Sequence, residues 1–190
     1  MRLLIMGPPG SGKGTQAAIV ARRFEMPAIS TGDIFRANVA EGTPLGQEAQ
    51  RYMSAGDYVP DEVTNQMVRD RLNEADAADG FLLDGYPRTV AQVEFLDKVL
   101  AEQGVALDRV IEMVVDVEEV VGRLLARAAE AGRDDDTEEV IRRRQALYAT
   151  QTAPLTAIYR DRGLLVQVDG MGTVDEVAAR MAAALGADDE

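Results

Sequence analysis

The sequence contains no cysteine, no histidine and no tryptophan among its 190 residues. The lack of cysteine excludes disulfides and thiolate metal sites. The lack of histidine removes the commonest general base and excludes a Ser-His-Asp triad. What remains are chemistries that depend mainly on positioning and electrostatics.

Basic residues are also scarce, with 20 Lys and Arg against 33 Asp and Glu and a formal net charge of −13. We expect no nucleic-acid or membrane partner, because both need a basic surface. A polyanionic substrate would have to meet locally concentrated arginines. The chain also lacks a signal-peptide pattern and any apolar run of about 18 residues, so we expect a cytoplasmic protein.

Short apolar segments alternate with helix-length segments, a pattern typical of a parallel sheet in one α/β domain. The predicted strands span residues 2–6, 28–30, 81–84, 110–115 and 164–168. The predicted helices span residues 13–24, 33–40, 45–55, 61–75, 90–103, 118–131, 137–162 and 173–185. The segment between the second and third strands is too long for one crossover helix and predicts a small helical subdomain.

A glycine-rich loop, Gly-Pro-Pro-Gly-Ser-Gly-Lys-Gly-Thr at residues 7–15, follows the first predicted strand and opens a helix. Backbone N–H groups in such a loop turn around phosphate oxygens, and the dipole of the following helix favours the same anion. The usual phosphate loop has Ser or Thr directly after the lysine. Here Gly14 stands between Lys13 and Thr15. The loop predicts a site for a nucleoside triphosphate.

Three further segments are Ser-Thr-Gly-Asp-Ile-Phe-Arg at residues 30–36, Gly-Asp-Tyr-Val-Pro at 56–60 and Phe-Leu-Leu-Asp-Gly-Tyr-Pro-Arg at 81–88. In this order and spacing they closely resemble the adenylate kinase family, and the resemblance covers essentially the whole chain. It implies an α/β P-loop kinase fold with a five-stranded parallel sheet flanked by helices. Within one domain of residues 1–190, it implies a helical AMP-binding subdomain at 30–59 and a short lid at 126–138.

The resemblance implies reversible phosphoryl transfer from ATP to AMP, giving two ADP. The expected partners are therefore ATP and AMP, or ADP in the reverse direction, and the expected cofactor is Mg²⁺ with ATP. Long-lid relatives sometimes carry four cysteines for zinc, whereas this chain resembles the short-lid form, so we expect no zinc. A monomer is the default for that form.

The ATP site implied by the resemblance combines the phosphate loop with two later segments. Arg123 is expected to stack on the ATP adenine, and Arg127 to reach the phosphates. The implied ATP-binding residues are Gly10, Ser11, Gly12, Lys13, Gly14, Thr15, Arg123, Arg127 and Gly172.

The implied AMP site depends on two arginines that each follow a strand-end turn, Arg36 and Arg88. A guanidinium fork suits a bidentate grip on a monophosphate. The implied AMP-binding residues are Thr31, Arg36, Asp57, Tyr58, Val59, Gly85, Tyr86, Pro87, Arg88, Gln92, Arg133 and Arg144.

The choice of base is predicted from Thr31 and Gln92. In the family these residue types accompany AMP, whereas UMP/CMP kinases usually carry alanine and asparagine. A glutamine amide offers one donor group and one acceptor, which match N1 and N6 of adenine. Without the resemblance, Gln92 would be interpreted as an exposed polar residue of a helix.

The implied catalytic residues are Lys13, Asp84, Arg88, Arg127, Arg133 and Arg144. Asp84 ends an apolar strand and is expected to hold Mg²⁺ through water, because magnesium keeps most of its waters; alternatively it caps the following turn. Asp33 is a weaker candidate for the metal and equally an N-cap of a helix. Arg142 and Arg143 are expected to be solvated helix charges.

Three other functions are compatible with a phosphate loop of this kind. A P-loop GTPase switch would need a guanine-reading NKxD segment, and none occurs in the sequence. A UMP/CMP kinase or another small-molecule kinase would share the fold. A noncatalytic nucleotide-binding scaffold is disfavoured because Lys13, Arg36, Asp84 and Arg88 are all present.

Overall fold

The computed structural model describes residues 1–116, 118–122, 124 and 137–186. Its five strands form one sheet in the order β2-β3-β1-β4-β5, with every neighbouring pair parallel. The fold class predicted from the sequence is therefore confirmed. The strands are β1 (Arg2–Met6), β2 (Ala28–Ser30), β3 (Phe81–Asp84), β4 (Arg109–Val114) and β5 (Leu165–Asp169).

Helices cover both faces of this sheet. The α-helices with fully described bounds are α1 (Lys13–Arg23), α2 (Thr31–Glu41), α3 (Pro44–Ala55), α4 (Asp61–Leu72), α5 (Val90–Glu102), α6 (Glu138–Leu147), α7 (Leu155–Asp161) and α8 (Val174–Ala184). Residues 118–122 and 124 are also helical. A short 3₁₀ helix spans Ala75–Ala77, and a π-helical turn spans Tyr148–Thr152.

The core forms two layers because successive strand residues point to opposite faces of the sheet. On one face, Leu4 and Leu83 pack with Leu96 of α5. On the other, Leu3 packs with Val20 of α1. Both faces are covered, which explains why the strands are continuous apolar runs rather than alternating ones.

Side-chain caps fix where several helices begin. Thr173 and Glu176 form a capping box at the start of α8. Ser30 accepts a hydrogen bond from the backbone N–H of Asp33 at 3.3 Å and caps α2. The suggestion that Asp33 is the N-cap is therefore wrong, and α2 begins earlier than predicted.

The single helix predicted over residues 137–162 is also wrong. The chain forms α6, then the π-helical turn, and then α7, which begins directly after Pro154. Proline has no N–H to donate and its ring clashes with the preceding turn of a helix, so the α-helix cannot run through this position. π-helical turns are frequent at functional sites.

Between β2 and β3 the chain forms α2, α3 and α4 instead of one crossover helix, as the length of this segment predicts. α2 packs closely against α3. The assignment of residues 30–59 as a separate AMP-binding subdomain stays a prediction. Within the part of the chain that the structure describes, no helix is both long enough and apolar enough to cross a membrane.

Candidate active site

The glycine-rich loop connects β1 to α1 at the carboxyl end of the sheet. Gly10 has a φ of 85°, and a Cβ on it would lie 2.6 Å from Cγ of Leu124. Only glycine fits there. The first hydrogen bond of α1 runs from the N–H of Gln16 to the carbonyl of Gly12, and no side chain among the described residues caps this terminus. Within the loop the N–H of Ser11 donates to the carbonyl of Pro8 at 3.1 Å, whereas the first N–H groups of α1 have no partner within the helix and form a terminus suited to an anion.

The carbonyl groups of the same loop are held by side chains. Lys13 donates from Nζ to the carbonyl of Pro8 at 3.0 Å. Gln145 of α6 donates from Nε2 to the carbonyl of Pro9 at 2.8 Å. These bonds hold the carbonyl groups of Pro8 and Pro9 on one side of the loop.

One cleft joins this loop to the predicted AMP site. From the loop it is lined by Gly7, Pro9 and Lys13. It is also lined by eleven of the predicted AMP-binding residues, namely Thr31, Arg36, Asp57, Tyr58, Val59, Gly85, Tyr86, Pro87, Arg88, Gln92 and Arg144. The structure thus brings together residues that are far apart in sequence.

The Arg88 side chain is positioned from several directions. Its Nε donates to the carbonyl of Gly85 at 2.7 Å, and its guanidinium carbon lies 5.0 Å from the centroid of the Tyr58 ring. Gly85 has a φ of 81°, and a Cβ there would lie 2.7 Å from Oγ1 of Thr31 and 3.1 Å from Nη2 of Arg88. Glycine is therefore required for this turn to approach both side chains.

The cleft concentrates positive charge. Burial lowers the pKa of the Arg88 guanidinium, while Tyr58 and Asp84 raise it and the charges of Arg144 and Arg36 lower it. Arg36 also forms an ion pair with Asp33, with 2.5 Å between Nη2 and Oδ1. The charges of Arg36 and Arg144 are thus close enough to act on Arg88, and cations gathered in this way form a site suited to a polyanion.

Asp84 ends β3 beside the first turn of α1. A Cβ on Gly14 would lie 3.6 Å from Oδ2 of Asp84. Burial raises the pKa of the Asp84 carboxyl, and the charges of Lys13 and Arg88 oppose that shift. The described residues hold no group of three or more acidic, His or Cys side chains that could enclose a metal ion. One carboxylate nevertheless fits Mg²⁺, which typically takes one or two carboxylates, substrate phosphates and water.

The two residues predicted to select the base are both buried, each with 1% of its surface exposed. Thr31 donates from Oγ1 to the carbonyl of Gly85 at 3.0 Å and so ties α2 to the turn after β3. The alternative of an exposed helix residue is wrong for Gln92, because its side chain is enclosed and lines the cleft.

Comparison with known proteins decides the family. A family model described as Adenylate kinase matches residues 5–164. The adenylate kinase of Nocardioides sp. is 67% identical over 185 residues, which cover 97% of each chain. That of Kocuria rhizophila is 61% identical over 184 residues, and that of Thermobifida fusca is 58% identical over 185, each covering 97% of this chain and 98% of the relative.

The chain belongs to the adenylate kinase family. The resemblance inferred from the motifs is confirmed, and so is the prediction of an adenylate kinase enzyme with ATP:AMP phosphotransfer. The UMP/CMP kinase alternative is not favoured. The individual residue assignments remain predictions.

Several of those assignments lie outside the described residues. They are Arg123, Arg127, Arg133 and, within the lid predicted at residues 126–138, residues 126–136. Among the residues predicted to bind ATP, Gly172 lies in a segment that is well anchored. Gln16 of α1 donates to the carbonyl of Val174 at 2.9 Å, and the N–H of Gly170 donates to the carbonyl of Val114 at 2.8 Å. This segment therefore lies beside α1 and the end of β4.

Arg142 and Arg143 are both exposed, as predicted, but Arg143 has a partner that the sequence did not indicate. Arg142 pairs with Glu138 on the exposed face of α6, as expected of a solvated helix charge. Arg143 instead donates from Nε to Oδ1 of Asp57 at 2.6 Å and links α6 to the segment after α3. This partner is 86 positions away, so no local pattern could have indicated it.

Other residues of the site were not anticipated. Phe35, Met53, Tyr148 and Thr152 line the cleft. Thr152 becomes part of it because the π-helical turn directs Oγ1 to the carbonyl of Arg88, at 2.9 Å. Pro154, two residues after Thr152, is the signal in the sequence that the helix is interrupted here.

Proposed function

We propose that this cleft carries out reversible phosphoryl transfer between ATP and AMP with the residue roles predicted from the family resemblance. One observation carries the proposal. Lys13, Arg36, Arg88 and Arg144 line a single cleft in a chain whose formal net charge is −13. Basic side chains concentrated in one cleft of an acidic protein favour a site for the phosphates of two nucleotides.

The phosphate loop binds ATP. Gly10, Ser11, Gly12, Gly14 and Thr15 surround the phosphates, and Lys13 adds a mobile charge. Arg123 stacks on the donor adenine, Gly172 lies beside it, and Arg127 contacts the phosphates. The anchored segment around Gly172, next to α1 and β4, supports a donor adenine on this side of the sheet.

AMP binds across the cleft. Arg36 and Arg88 hold its phosphate, since a guanidinium can give two parallel hydrogen bonds to one phosphate. Gln92 pairs with the adenine edge and Thr31 shapes the turn beside it. The backbone of residues 57–59 and of 85–87 lines the base and ribose.

No protein base is needed, because the attacking phosphate of AMP is already an anion. Lys13, Arg88 and Arg144, with Arg127 and Arg133, offset the charge that develops on the transferring group. Asp84 would hold Mg²⁺ through water, where the ion supplies further neutralisation of the phosphates. The absence of histidine then has no consequence for catalysis.

Water competes with AMP as the nucleophile. We propose that a subdomain of residues 30–59 and a short lid at 126–138 close over the nucleotides before transfer, which excludes water. We further propose a cytoplasmic monomer, and sedimentation velocity with and without nucleotide tests the monomer directly.

A panel of acceptors tests the proposal. ATP consumption coupled to ADP formation is measured with AMP, UMP, CMP and dTMP at equal concentrations. We expect kcat/KM for AMP to exceed the others by at least about 100-fold, because a site matched to one base edge leaves the wrong base with unpaired polar groups. Equal or greater activity on UMP or CMP would overturn the assigned base-reading role.

A further inference from the structure

The side-chain amide of Gln92 is held at both ends. Its Oε1 accepts from the backbone N–H of Arg88 at 2.7 Å, and its Nε2 donates to Oδ1 of Asp61 at 2.6 Å. The amide is enclosed, with 1% of the residue exposed, yet the residue lines the cleft. Asp61 does not itself line the cleft.

These two partners allow one orientation of the amide. A backbone N–H can only donate, and an ionised carboxylate can only accept. Turning the amide by 180° would place its NH₂ against the N–H of Arg88 and its oxygen against the Asp61 carboxylate. Both hydrogen bonds would be lost and both replaced by repulsive contacts between like partial charges.

Asp61 is itself fixed. Its second carboxylate oxygen, Oδ2, accepts from Oγ1 of Thr89 at 2.9 Å. Thr89 caps α5 by accepting from the N–H of Gln92 at 3.2 Å. Asp61 is also the first residue of α4, where the helix dipole favours a negative charge. The carboxylate therefore joins the starts of two helices around the Gln92 amide.

We propose that Asp61 is a specificity-determining positioning residue. By fixing the orientation of the Gln92 amide, it makes the acceptor site select 6-aminopurine nucleotides against 6-oxopurine nucleotides. This inference rests on the proposed function, in which Gln92 faces the acceptor base.

The chemistry of the two base classes explains the selection. The held amide still has one lone pair on Oε1 and one hydrogen on Nε2 for a ligand. A 6-aminopurine presents a donor at N6 beside an acceptor at N1, which matches that pair. A 6-oxopurine presents an acceptor at O6 beside a donor at N1, which opposes it. The amide could serve a 6-oxopurine only by turning over, which Asp61 opposes together with the backbone N–H of Arg88.

The test compares AMP with inosine monophosphate as acceptors. In Asp61→Asn the shape is preserved, but the new amide can meet Gln92 in either orientation. We expect the ratio of kcat/KM for AMP to that for inosine monophosphate to fall by about tenfold, the effect of one good hydrogen bond. Asp61→Ala, which also frees the amide, should lower the ratio in the same direction.

Glu62→Gln is the matched control, because Glu62 is the other acidic residue in the first turn of α4 and is exposed. It removes a charge from the same helix terminus and should leave the ratio unchanged. A purely structural role for Asp61 would lower activity on both acceptors equally and leave the ratio unmoved.

The outcomes separate this inference from the proposed function. If Gln92→Ala lowers the ratio while Asp61→Asn and Asp61→Ala keep the wild-type value, Asp61 has no role in selection and only this inference is wrong. If Gln92→Ala also keeps the wild-type ratio, Gln92 does not read the base and both are wrong. A fall in the Asp61 variants with none in Glu62→Gln supports the inference.

Discussion

The hydroxyl of Tyr58 lies 2.8 Å from Oγ1 of Thr152, 94 positions later in the chain. Thr152 gives its single hydrogen to the carbonyl of Arg88, which can only accept, so Tyr58 is the donor to Thr152. The ring of Tyr58 also faces the Arg88 guanidinium. Tyr58 and Thr152 thus hold the two ends of Arg88, the backbone carbonyl and the charged group.

Thr152→Val should weaken AMP binding. The substitution keeps the shape of the side chain but removes the hydroxyl that joins Tyr58 to Arg88. We expect KM for AMP to rise about 3- to 10-fold, the effect of losing a buried hydrogen bond, with KM for ATP nearly unchanged. Steady-state kinetics with each nucleotide varied in turn provide the measurement.

Thr150→Val is the control for that variant. Thr150 belongs to the same π-helical turn, is exposed, and donates only to local backbone carbonyls. Its KM for AMP should match the wild type. An equal rise in both variants would mean that the turn, and not the contact with Arg88, is responsible.

Gln145→Leu should weaken ATP binding instead. Gln145 holds the carbonyl of Pro9 in the phosphate loop. Without this hydrogen bond the loop is no longer fixed in the conformation that binds phosphate. We expect KM for ATP to rise about 3- to 10-fold while KM for AMP stays within about twofold. Gln103→Leu, at an exposed glutamine that donates to Asn73, is the control. An unchanged KM for ATP in Gln145→Leu would contradict this role.

Arg88→Lys should be far from conservative. A lysine ammonium is a point charge that cannot reproduce two parallel hydrogen bonds to one phosphate, nor stack on the Tyr58 ring as a planar guanidinium does. We expect kcat/KM for AMP to fall by at least about 100-fold. Arg142→Lys, on the exposed face of α6, should retain wild-type kinetics. Wild-type KM and kcat for AMP in Arg88→Lys would refute the assignment.

Asp84→Asn should raise the stability of the protein while lowering its activity. Burial raises the pKa of Asp84 in the folded protein. At pH values between the ordinary pKa of an aspartate and the raised pKa of Asp84, the folded state binds more protons than the unfolded state. The free energy of unfolding therefore falls as pH rises through this range. Removal of the carboxylate should therefore stabilise the nucleotide-free protein at neutral pH while lowering Mg²⁺-dependent turnover.

Urea unfolding from about pH 4 to about pH 8 measures this effect, since the linear extrapolation gives the free energy of unfolding at each pH. The difference between Asp84→Asn and wild type should grow as pH rises and then level off. Asp79→Asn, at an exposed aspartate, should show no such trend. A variant less stable than wild type at neutral pH would contradict the burial argument.

Local signals in the sequence predicted much of this molecule. Apolar runs located all five strands, because a sheet covered on both faces leaves no polar alternation. The glycine-rich loop predicted the turn from β1 to α1. The errors in the predicted helix boundaries also have local causes. Ser30 caps α2, so this helix begins earlier than predicted, and Pro154 interrupts the single helix predicted over residues 137–162.

What the sequence did not reveal were contacts between distant segments. Gln145 reaches the phosphate loop across 136 positions, and Arg143 reaches Asp57 across 86. Neither residue stands in a distinctive motif, and a polar residue on a helix is solvated unless the fold brings it a partner. Asp61 is similar, because its sequence position at the start of a helix already accounts for its residue type.

The central claim is that one cleft transfers a phosphoryl group between two nucleotides. The most direct test incubates the protein with ATP, AMP and Mg²⁺ and quantifies ADP and inorganic phosphate together. We predict two ADP for each ATP consumed, with almost no free phosphate. Lys13→Met should lower the rate by at least about 100-fold with the fold retained by circular dichroism. One ADP and one free phosphate for each ATP, no dependence on AMP, or near-normal turnover in Lys13→Met would contradict the account.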